Sequence, residues 1–265
     1  WKYFESTPAR KIKGRFDELS RIRKFRESIP DWMDELGVKE LGEELWTKEI
    51  AAQNEQAKVI LRVNTLKTTK EKLRAILMDL NIETEFNQEY PDALILKERA
   101  NVFLTDAFKE GLFEVQDASS QLVARFLDVK PGMRVVDTCA GAGGKTLHIA
   151  SLMENKGQLI AMDLYESKLK QLKLRAKRNG AFNIEPRVIE GTKTIKKLHE
   201  KADRVLIDAP CSGLGVLKRN PDSKWKLQPE FIENIKKVQA EVLENYSKIV
   251  KPGGKLVYAT CSVLP

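Results

Sequence analysis

From residue 116 onward, short apolar runs alternate with amphipathic stretches, and this alternation limits the fold more than any other feature of the chain. Strands are expected over residues 134–138, 158–163, 185–190, 203–208 and 255–261. Helices are expected over 118–127, 145–153, 166–179 and 229–250, with a short helical piece near Thr194. Parallel neighbours need a crossover between them, and a helix supplies both the crossover and the cover for an apolar sheet face. The expected class is therefore α/β, with a doubly wound, mainly parallel sheet. No internal repeat or low-complexity stretch interrupts the pattern.

The preceding residues read differently. Strands are expected over 59–64, 82–86, 93–97 and 112–115, with an amphipathic helix over 69–80. That order suits a small α+β module of the kind RNA-binding domains often use, and which also serves as scaffolding. Residues 1–57 are charge-rich and read as short helices. Ser28-Ile29-Pro30-Asp31-Trp32 looks like the entry turn to a helix, and Trp32, Leu36, Leu41, Leu45 and Trp46 recur at roughly helical spacing. Arg15, Arg21, Arg23, Lys24 and Arg26, beside Phe16 and Phe25, form either an RNA-contacting face or the solvated side of packing helices. Three segments are thus expected: 1–57, 58–115 and 116–265.

Composition narrows the chemistry. Lys and Arg number 46 against 38 Asp and Glu, a net charge of +8 that favours a polyanionic partner without establishing one. No run approaches the ~20 apolar residues of a membrane helix, and no secretory signal is visible. Three cysteines and two histidines, without a C-x-x-C spacing, fit neither a disulfide framework nor a zinc site. Reduced thiols in a cytoplasmic protein, no membrane partner and no metal are expected. Histidine base catalysis is poorly supplied, which leaves carboxylates and thiols. The chain begins at Trp1 rather than Met and stops just after the fifth expected strand, so trimming at both ends is expected.

The first expected strand empties into Asp137-Thr138-Cys139-Ala140-Gly141-Ala142-Gly143-Gly144-Lys145-Thr146. Glycines belong where a cofactor approaches the backbone closely, and the next helix aims its N–H groups at the ligand. A phosphate-binding P-loop fails because Cys139 holds its first glycine position, and a dinucleotide fingerprint fails because Thr146 holds its last. What remains is a nucleoside cofactor without a pyrophosphate, of which S-adenosyl-L-methionine is the common one. Asp163 ends the second strand nineteen residues after Gly144. It is placed either to accept both ribose hydroxyls or to cap the following helix.

Cys139 follows the first strand, Cys211 follows the fourth, and Cys261 closes the fifth. Ligands of doubly wound sheets bind beyond the carboxyl ends of the strands. With the first, fourth and fifth strands as neighbours, all three thiols would approach one crevice. The fourth strand continues into Asp208-Ala209-Pro210-Cys211-Ser212-Gly213-Leu214-Gly215, where Pro210 stiffens the exit. Beyond it, Lys218, Arg219, Asn220-Pro221-Asp222 and Lys224-Trp225 offer positive charge and an aromatic face to an RNA strand. Core packing explains Trp225 equally well.

At these residues the chain resembles the RsmB/NSUN (Sun/Fmu) family of RNA cytosine-5 methyltransferases. The resemblance covers residues 58–265 and is weaker before. Arg62-Val63-Asn64-Thr65-Leu66-Lys67 resembles the start of the family's RNA-binding subdomain, and Gln116-Asp117-Ala118-Ser119-Ser120 the element before its catalytic sheet. The segment Asp208-Ala209-Pro210-Cys211 and Ala259-Thr260-Cys261-Ser262-Val263-Leu264-Pro265 resemble its paired cysteine motifs, which lie fifty residues apart here. The resemblance implies a Rossmann-like class I methyltransferase fold. It implies cofactor contacts at Cys139, Ala140, Gly141, Ala142, Gly143, Gly144, Lys145, Asp163, Lys168 and Asp208, with Cys261 as nucleophile and Cys211 assisting product release. Two positions depart from the family pattern. Ala140-Gly141-Ala142-Gly143 lacks the proline many members carry before the glycine pair. The acid often found after the third strand falls near Thr192, with Glu190 as its substitute.

The implied chemistry suits these residue types. A thiolate adds to C6 of cytosine and C5 becomes nucleophilic; after methylation the C5 proton must leave. Asp208 would hydrogen-bond the cytosine edge, Lys145 would help position the base, and the base must be single-stranded or flipped out. A Pro-Cys pair supplies the nucleophile in DNA cytosine-5 methyltransferases, so Cys211 is a rival to Cys261. Ribosomal RNA is expected by family frequency, with transfer RNA the alternative and a monomer the expected state. A non-catalytic RNA-binding or ribosome-assembly factor is a second class, disfavoured by the full set of motif residues. A small-molecule or protein methyltransferase would leave the second cysteine motif without purpose. Sheets of this family normally add two further strands, so a native-like cofactor cleft with little turnover is expected of this chain.

Overall fold

The computed structural model describes residues 5–264, which leaves Pro265 of the second cysteine motif outside the described residues. The chain divides into two compact units. One draws on residues up to Ala57, on Cys211–Lys237 and on those from Cys261; the other comprises Lys58–Pro210 and Val238–Thr260.

The second unit opens with an antiparallel sheet of β1 (Ile60–Val63), β2 (Thr84–Phe86), β3 (Ala93–Leu96) and β4 (Phe113–Val115), in the order β2-β3-β1-β4. The helix Lys70–Asp79 joins β1 to β2. Thr69 caps it by accepting the Lys72 N–H, and Leu73 and Leu77, four residues apart on one face, are fully buried. They pack with Leu61, Val63, Leu94 and Phe113 to form this sheet's own core.

The second sheet contains β5 (Arg134–Asp137), β6 (Gln158–Asp163), β7 (Ile184–Val188), β8 (Ala202–Asp208) and β9 (Val250–Ala259). Their order is β7-β6-β5-β8-β9, and every pairing is parallel. Side chains alternate between two apolar clusters, as a strand's two-residue period requires. Val135, Leu159 and Leu206 face Leu147, Ile149, Met153, Leu169 and Leu172, whereas Val136, Ile160, Val205 and Ile207 face Ile195, Leu198, Tyr246 and Ile249. Both faces are thus covered, and the expected doubly wound sheet is found with its first, fourth and fifth strands adjacent.

Element ends differ from expectation where apolar residues fit either state. The helix expected to reach residue 250 ends at Tyr246. A 3-10 turn follows at Ser247–Ile249, and Val250 pairs with Ala202 in the sheet. β7 stops at Val188, short of residue 190. Cys261 does not close the fifth strand, which ends at Ala259. Its N–H donates to Cys211 Sγ and its carbonyl accepts from the Gly215 N–H, so neither backbone group is left for a ladder.

The first unit is helical. Pro30 precedes the helix Asp31–Leu41, as the entry turn predicts, but the apolar spacing that runs from Trp32 to Trp46 spans two helices. Gly42, at φ +78°, ends the first and begins Glu43–Gln53, and Leu45 is left 53% exposed. Trp46 is buried with Ile29, Met33, Ile50, Leu214 and Leu217, and its Nε1 donates to Asp34 at 2.9 Å. Arg23, a candidate for RNA contact, is instead spent on this core: it pairs with Asp34 at 2.7 Å, with Glu43 and with Thr47. Burial raises the Asp34 carboxyl, but bonds from Arg23 and Trp46 outweigh it and hold the group below its usual range.

Two further expectations for this unit are corrected. Lys224 is buried and donates its ammonium to the Glu27 carbonyl at 3.0 Å and to Asn54, so it offers no charge to an RNA. Trp225 is 59% exposed, which removes the core-packing reading.

Gly37 is a packing requirement, because a Cβ there would lie 2.2 Å from the Trp46 ring. Gly37→Ala is expected to cost roughly 1–3 kcal/mol as overpacking does. Gly14→Ala, whose Cβ meets nothing within 4 Å, should not destabilise. Thermal unfolding followed by tryptophan fluorescence compares the two; equal midpoints would refute this packing account.

Candidate active site

The site is built outward from the C-terminal end of β5. Thr138 Oγ1 donates to the Leu206 carbonyl at 2.9 Å, and the chain then turns through Ala140-Gly141-Ala142-Gly143 into the helix Gly144–Leu152. Gly143 has φ +90°, and a Cβ on it would strike Leu172 Cγ at 2.8 Å. Glycine is required there on both counts. Gly141 also has positive φ, +55°, but the space beside it is open.

β6 ties this loop from the side. The Ala140 N–H donates to the Met162 carbonyl at 2.8 Å. Asp163 accepts the Gly141 N–H on Oδ2 and the Tyr165 N–H on Oδ1, both at 2.9 Å. Tyr165, not Asp163, immediately precedes the helix Glu166–Asn179. The carboxylate therefore braces the glycine loop and the turn after its own strand, and each oxygen keeps a second lone pair. Lys168 lies over the Tyr165 ring at 4.7 Å. Glu190 and Thr192 are exposed, one on each side of Gly191 and beyond the end of β7.

Lys145 and Asp208 form an ion pair at 2.6 Å, with side chains 16% and 30% exposed. One further carboxylate belongs to the site beyond Asp163 and Asp208. Asp137 is buried and accepts the Thr146 hydroxyl on Oδ2 at 2.7 Å, whereas Oδ1 has no partner. Burial pushes its pKa up to about 7, against the Thr146 bond and with the help of negative Asp208. Its sequence signal was a carboxylate ending an apolar strand immediately before the glycine loop.

The three thiols divide between the two units, Cys139 in one and both motif cysteines in the other. Cys139 packs against the apolar cluster around Val136 and Tyr246, and burial pushes it up to about 12, so it stays a thiol. In the helical unit, Cys211 Sγ and Cys261 Sγ are 2.9 Å apart, and the Cys261 amide N–H donates to Cys211 Sγ at 3.2 Å. Cys211 is partly buried and Cys261 exposed.

The Arg62–Lys67 segment, expected to begin an RNA-binding subdomain, spends its polar groups elsewhere. Arg62 is buried against Gln116 and the Gly144 carbonyl. Asn64 donates to the carbonyls of Gly111 and Asn179, and Lys67 to those of Glu110 and Arg178. His148 bonds Asp92 at 2.9 Å, and burial pulls it down to about 4, leaving it neutral and structural. Among the described residues no group of three His, Cys, Asp or Glu could hold a metal, and no helix is long and apolar enough to cross a membrane.

A five-stranded parallel sheet with a glycine loop after its middle strand, joined to a four-stranded antiparallel module, defines a Rossmann-like methyltransferase with a ferredoxin-like companion. The chain belongs to the 16S rRNA methyltransferase RsmB/F family, whose model matches residues 124–265; the RsmF/B-like ferredoxin-like domain model matches residues 29–103. It is 38% identical over 242 residues to a probable ribosomal RNA small subunit methyltransferase B of Synechocystis, covering 90% of this chain and 54% of that protein. The crystal structure of PH0851 superposes with TM-score 0.86 at 35% identity, covering 91% of this chain and 55% of that one. A methyltransferase homologue from Pyrococcus horikoshii superposes with TM-score 0.80 at 30% identity, covering 92% and 77%. The chain thus spans about half the length of the curated relatives it matches.

The raised pKa of Asp137 has a signed consequence. A carboxyl that titrates at about 7 in the folded chain, against 3.8 ordinarily, keeps its proton where the unfolded chain has lost it. Its contribution to stability is full below the ordinary value and declines as pH rises, the loss being complete above about 7. Urea midpoints at pH 5 and pH 8 should therefore differ less in Asp137→Asn than in the parent chain. An unchanged difference would show that Asp137 titrates normally.

Proposed function

We propose that this chain carries the catalytic core of an RNA cytosine-5 methyltransferase that acts on ribosomal RNA and uses S-adenosyl-L-methionine as methyl donor. The observation that carries the reading is the contact between the two motif cysteines, Cys211 and Cys261, whose sulfurs lie 2.9 Å apart. Addition to C6 and removal of the C5 proton need two adjacent groups of this kind, one to attack and one to accept the proton. Membership of the 16S rRNA methyltransferase family supports the substrate class.

The cofactor fits the loop on local grounds. Gly141 leaves open the space a side chain would fill, and Gly143 precedes a nine-residue helix, Gly144–Leu152, whose first N–H groups are directed out of its N-terminus. The residues assigned to hold it are Cys139 through Lys145, Asp163 and Lys168, with Glu190 or Thr192 and Asp208 completing the set. When bound, it supplies a methyl group on a sulfonium, open to attack by a carbon nucleophile.

The chain's own groups carry the remaining steps. Cys261, as thiolate, adds to C6 of a single-stranded or flipped cytosine, which makes C5 nucleophilic. Asp208 holds the cytosine edge, and its ion pair with Lys145 fixes the carboxylate that does so. After transfer Cys211 takes the C5 proton, and the C6–sulfur bond breaks to return Cys261. The hydrogen bond that the Cys261 backbone N–H donates to Cys211 Sγ favours a thiolate at Cys211, as a proton acceptor requires. That same bond favours a second reading in which Cys211, stiffened by Pro210, makes the attack. The chain is taken to work as a cytoplasmic monomer.

Calorimetric titration separates this function from a non-catalytic RNA-binding factor: binding of S-adenosyl-L-methionine is expected, and its absence would refute the enzyme reading. With target RNA and cofactor present, Cys261→Ala is expected to abolish covalent protein–RNA adducts and Cys211→Ala to let them accumulate. Adducts found only with Cys261→Ala would reverse the two roles.

A further inference from the structure

A glycine loop has little side chain with which to hold its own shape. Each peptide unit points its C=O opposite to its N–H, so a loop that offers N–H groups to a ligand must dispose of its carbonyls on the other side. Two arginines meet carbonyls here, one in the loop at Ala142 and one in the first turn of the following helix at Gly144. Arg175 Nη1 donates to the Ala142 carbonyl at 2.8 Å, and Arg62 Nη1 donates to the Gly144 carbonyl.

Both arginines are braced by the four-stranded sheet. Arg62 lies within β1, is 3% exposed, and also donates to Gln116. Arg175 pairs through Nη2 with Glu114 of β4 at 2.9 Å. The Glu114 side chain is 4% exposed and also takes bonds from Arg178 and from Asn179. Burying a guanidinium in the middle of an apolar strand is costly unless its donors are used. Here Nη1 of Arg62 is shared between the Gln116 side chain and the Gly144 carbonyl.

We infer that Arg62 and Arg175 are positioning residues for the cofactor: Arg175 holds the Ala142 carbonyl of the turn that the Gly143 N–H closes onto Ala140, and Arg62 holds the Gly144 carbonyl, so that the first N–H groups of the helix are fixed before the ligand arrives. The ferredoxin-like module is then part of the cofactor site's support, a role separate from any contact with RNA. The inference rests on the cofactor reading given above, but it makes a claim about the loop that holds without ligand.

The test uses the full 265-residue chain with Arg62→Met, Arg175→Met and the conservative Arg62→Lys and Arg175→Lys, which guard against variants that fail to fold. Asn64→Ala is the control: it removes bonds to Gly111 and Asn179 in the same seam without touching the loop. Two readouts are hydrogen exchange of the amides of residues 140–147 and calorimetric titration with S-adenosyl-L-methionine. The Met variants are expected to speed loop exchange and weaken binding by about tenfold or more, as loss of supporting groups around a site typically does. The Lys variants should recover part of the loss. Asn64→Ala should lower the thermal midpoint and leave loop exchange and affinity alone. Faster loop exchange in the Met variants, with a parent chain that binds no cofactor, would keep the role of the arginines in holding the loop and overturn only the cofactor reading. Loop exchange and affinity unchanged in the Met variants, or equally changed in Asn64→Ala, would overturn the inference.

Discussion

The parallel register of β8 between β5 and β9 is the constraint on which the rest of the site depends. Asp137 pairs with Leu206 on one side, and Asp208 with Ala259 on the other. Bonds from Thr138 to the Leu206 carbonyl and from the Ala209 N–H to the Ala259 carbonyl continue the order just past the ladders. The strand ends therefore release their chains at one level, with a fixed number of residues to spend. Cys211 comes three residues after Asp208 and Cys261 two after Ala259. Short tethers, one stiffened by Pro210, explain how cysteines fifty residues apart bring their sulfurs into contact. A one-residue slip of β9 would shift the second exit relative to the first and turn its side chains to the opposite face.

Buried charge in the larger unit falls into two kinds. Where a carboxylate has several N–H donors around it, it stays ionised. Burial works against Asp92 and Glu114, yet Arg125 and His148 for the first, and Arg175, Arg178 and Asn179 for the second, bring both below the usual range. Where the donors are few, burial wins, as at Asp137. Breaking one partner of such a buried pair leaves an uncompensated charge, which costs far more than the pair itself is worth. The paired groups lie where the antiparallel sheet meets the helices Ala118–Phe126, Gly144–Leu152 and Glu166–Asn179, and they bond that seam together. Asp137 lies at the root of the glycine loop instead, able to hold or release a proton near neutral pH.

Much of this was legible in the residues. Alternating apolar strands and helices announced the sheet, because period and run length depend on local sequence alone. The glycine loop, the acid ending β6 and the two cysteine motifs were visible for the same reason. What escaped were properties set by distant partners. Lys224 reads as a surface cation, yet Glu27 and Asn54, remote in sequence, draw it inside. Trp225 reads equally as core or surface, because nothing local says which face is covered. Arg62 interrupts the apolar run Val59-Ile60-Leu61, and that interruption was its one signal; the recipient carbonyl at Gly144 lies 82 positions away. The end of β9 was misplaced because Thr260 and Cys261 fit a strand, and only the bonds to Cys211 and Gly215 remove them from it.

The central claim is that a specific thiol becomes bonded to the pyrimidine during methyl transfer. Fluorine at C5 cannot leave as a proton, so RNA carrying 5-fluorocytosine should arrest the reaction after transfer, with the sulfur still attached to C6. The direct measurement is mass-spectrometric peptide mapping of the chain after incubation with ribosomal RNA transcribed with 5-fluorocytidine and with S-adenosyl-L-methionine. The account predicts one nucleotide bearing one added methyl group on the peptide that contains Cys261, and none on the peptide that contains Cys139. A modified Cys139, or methylated RNA formed with no cysteine attached, would contradict it.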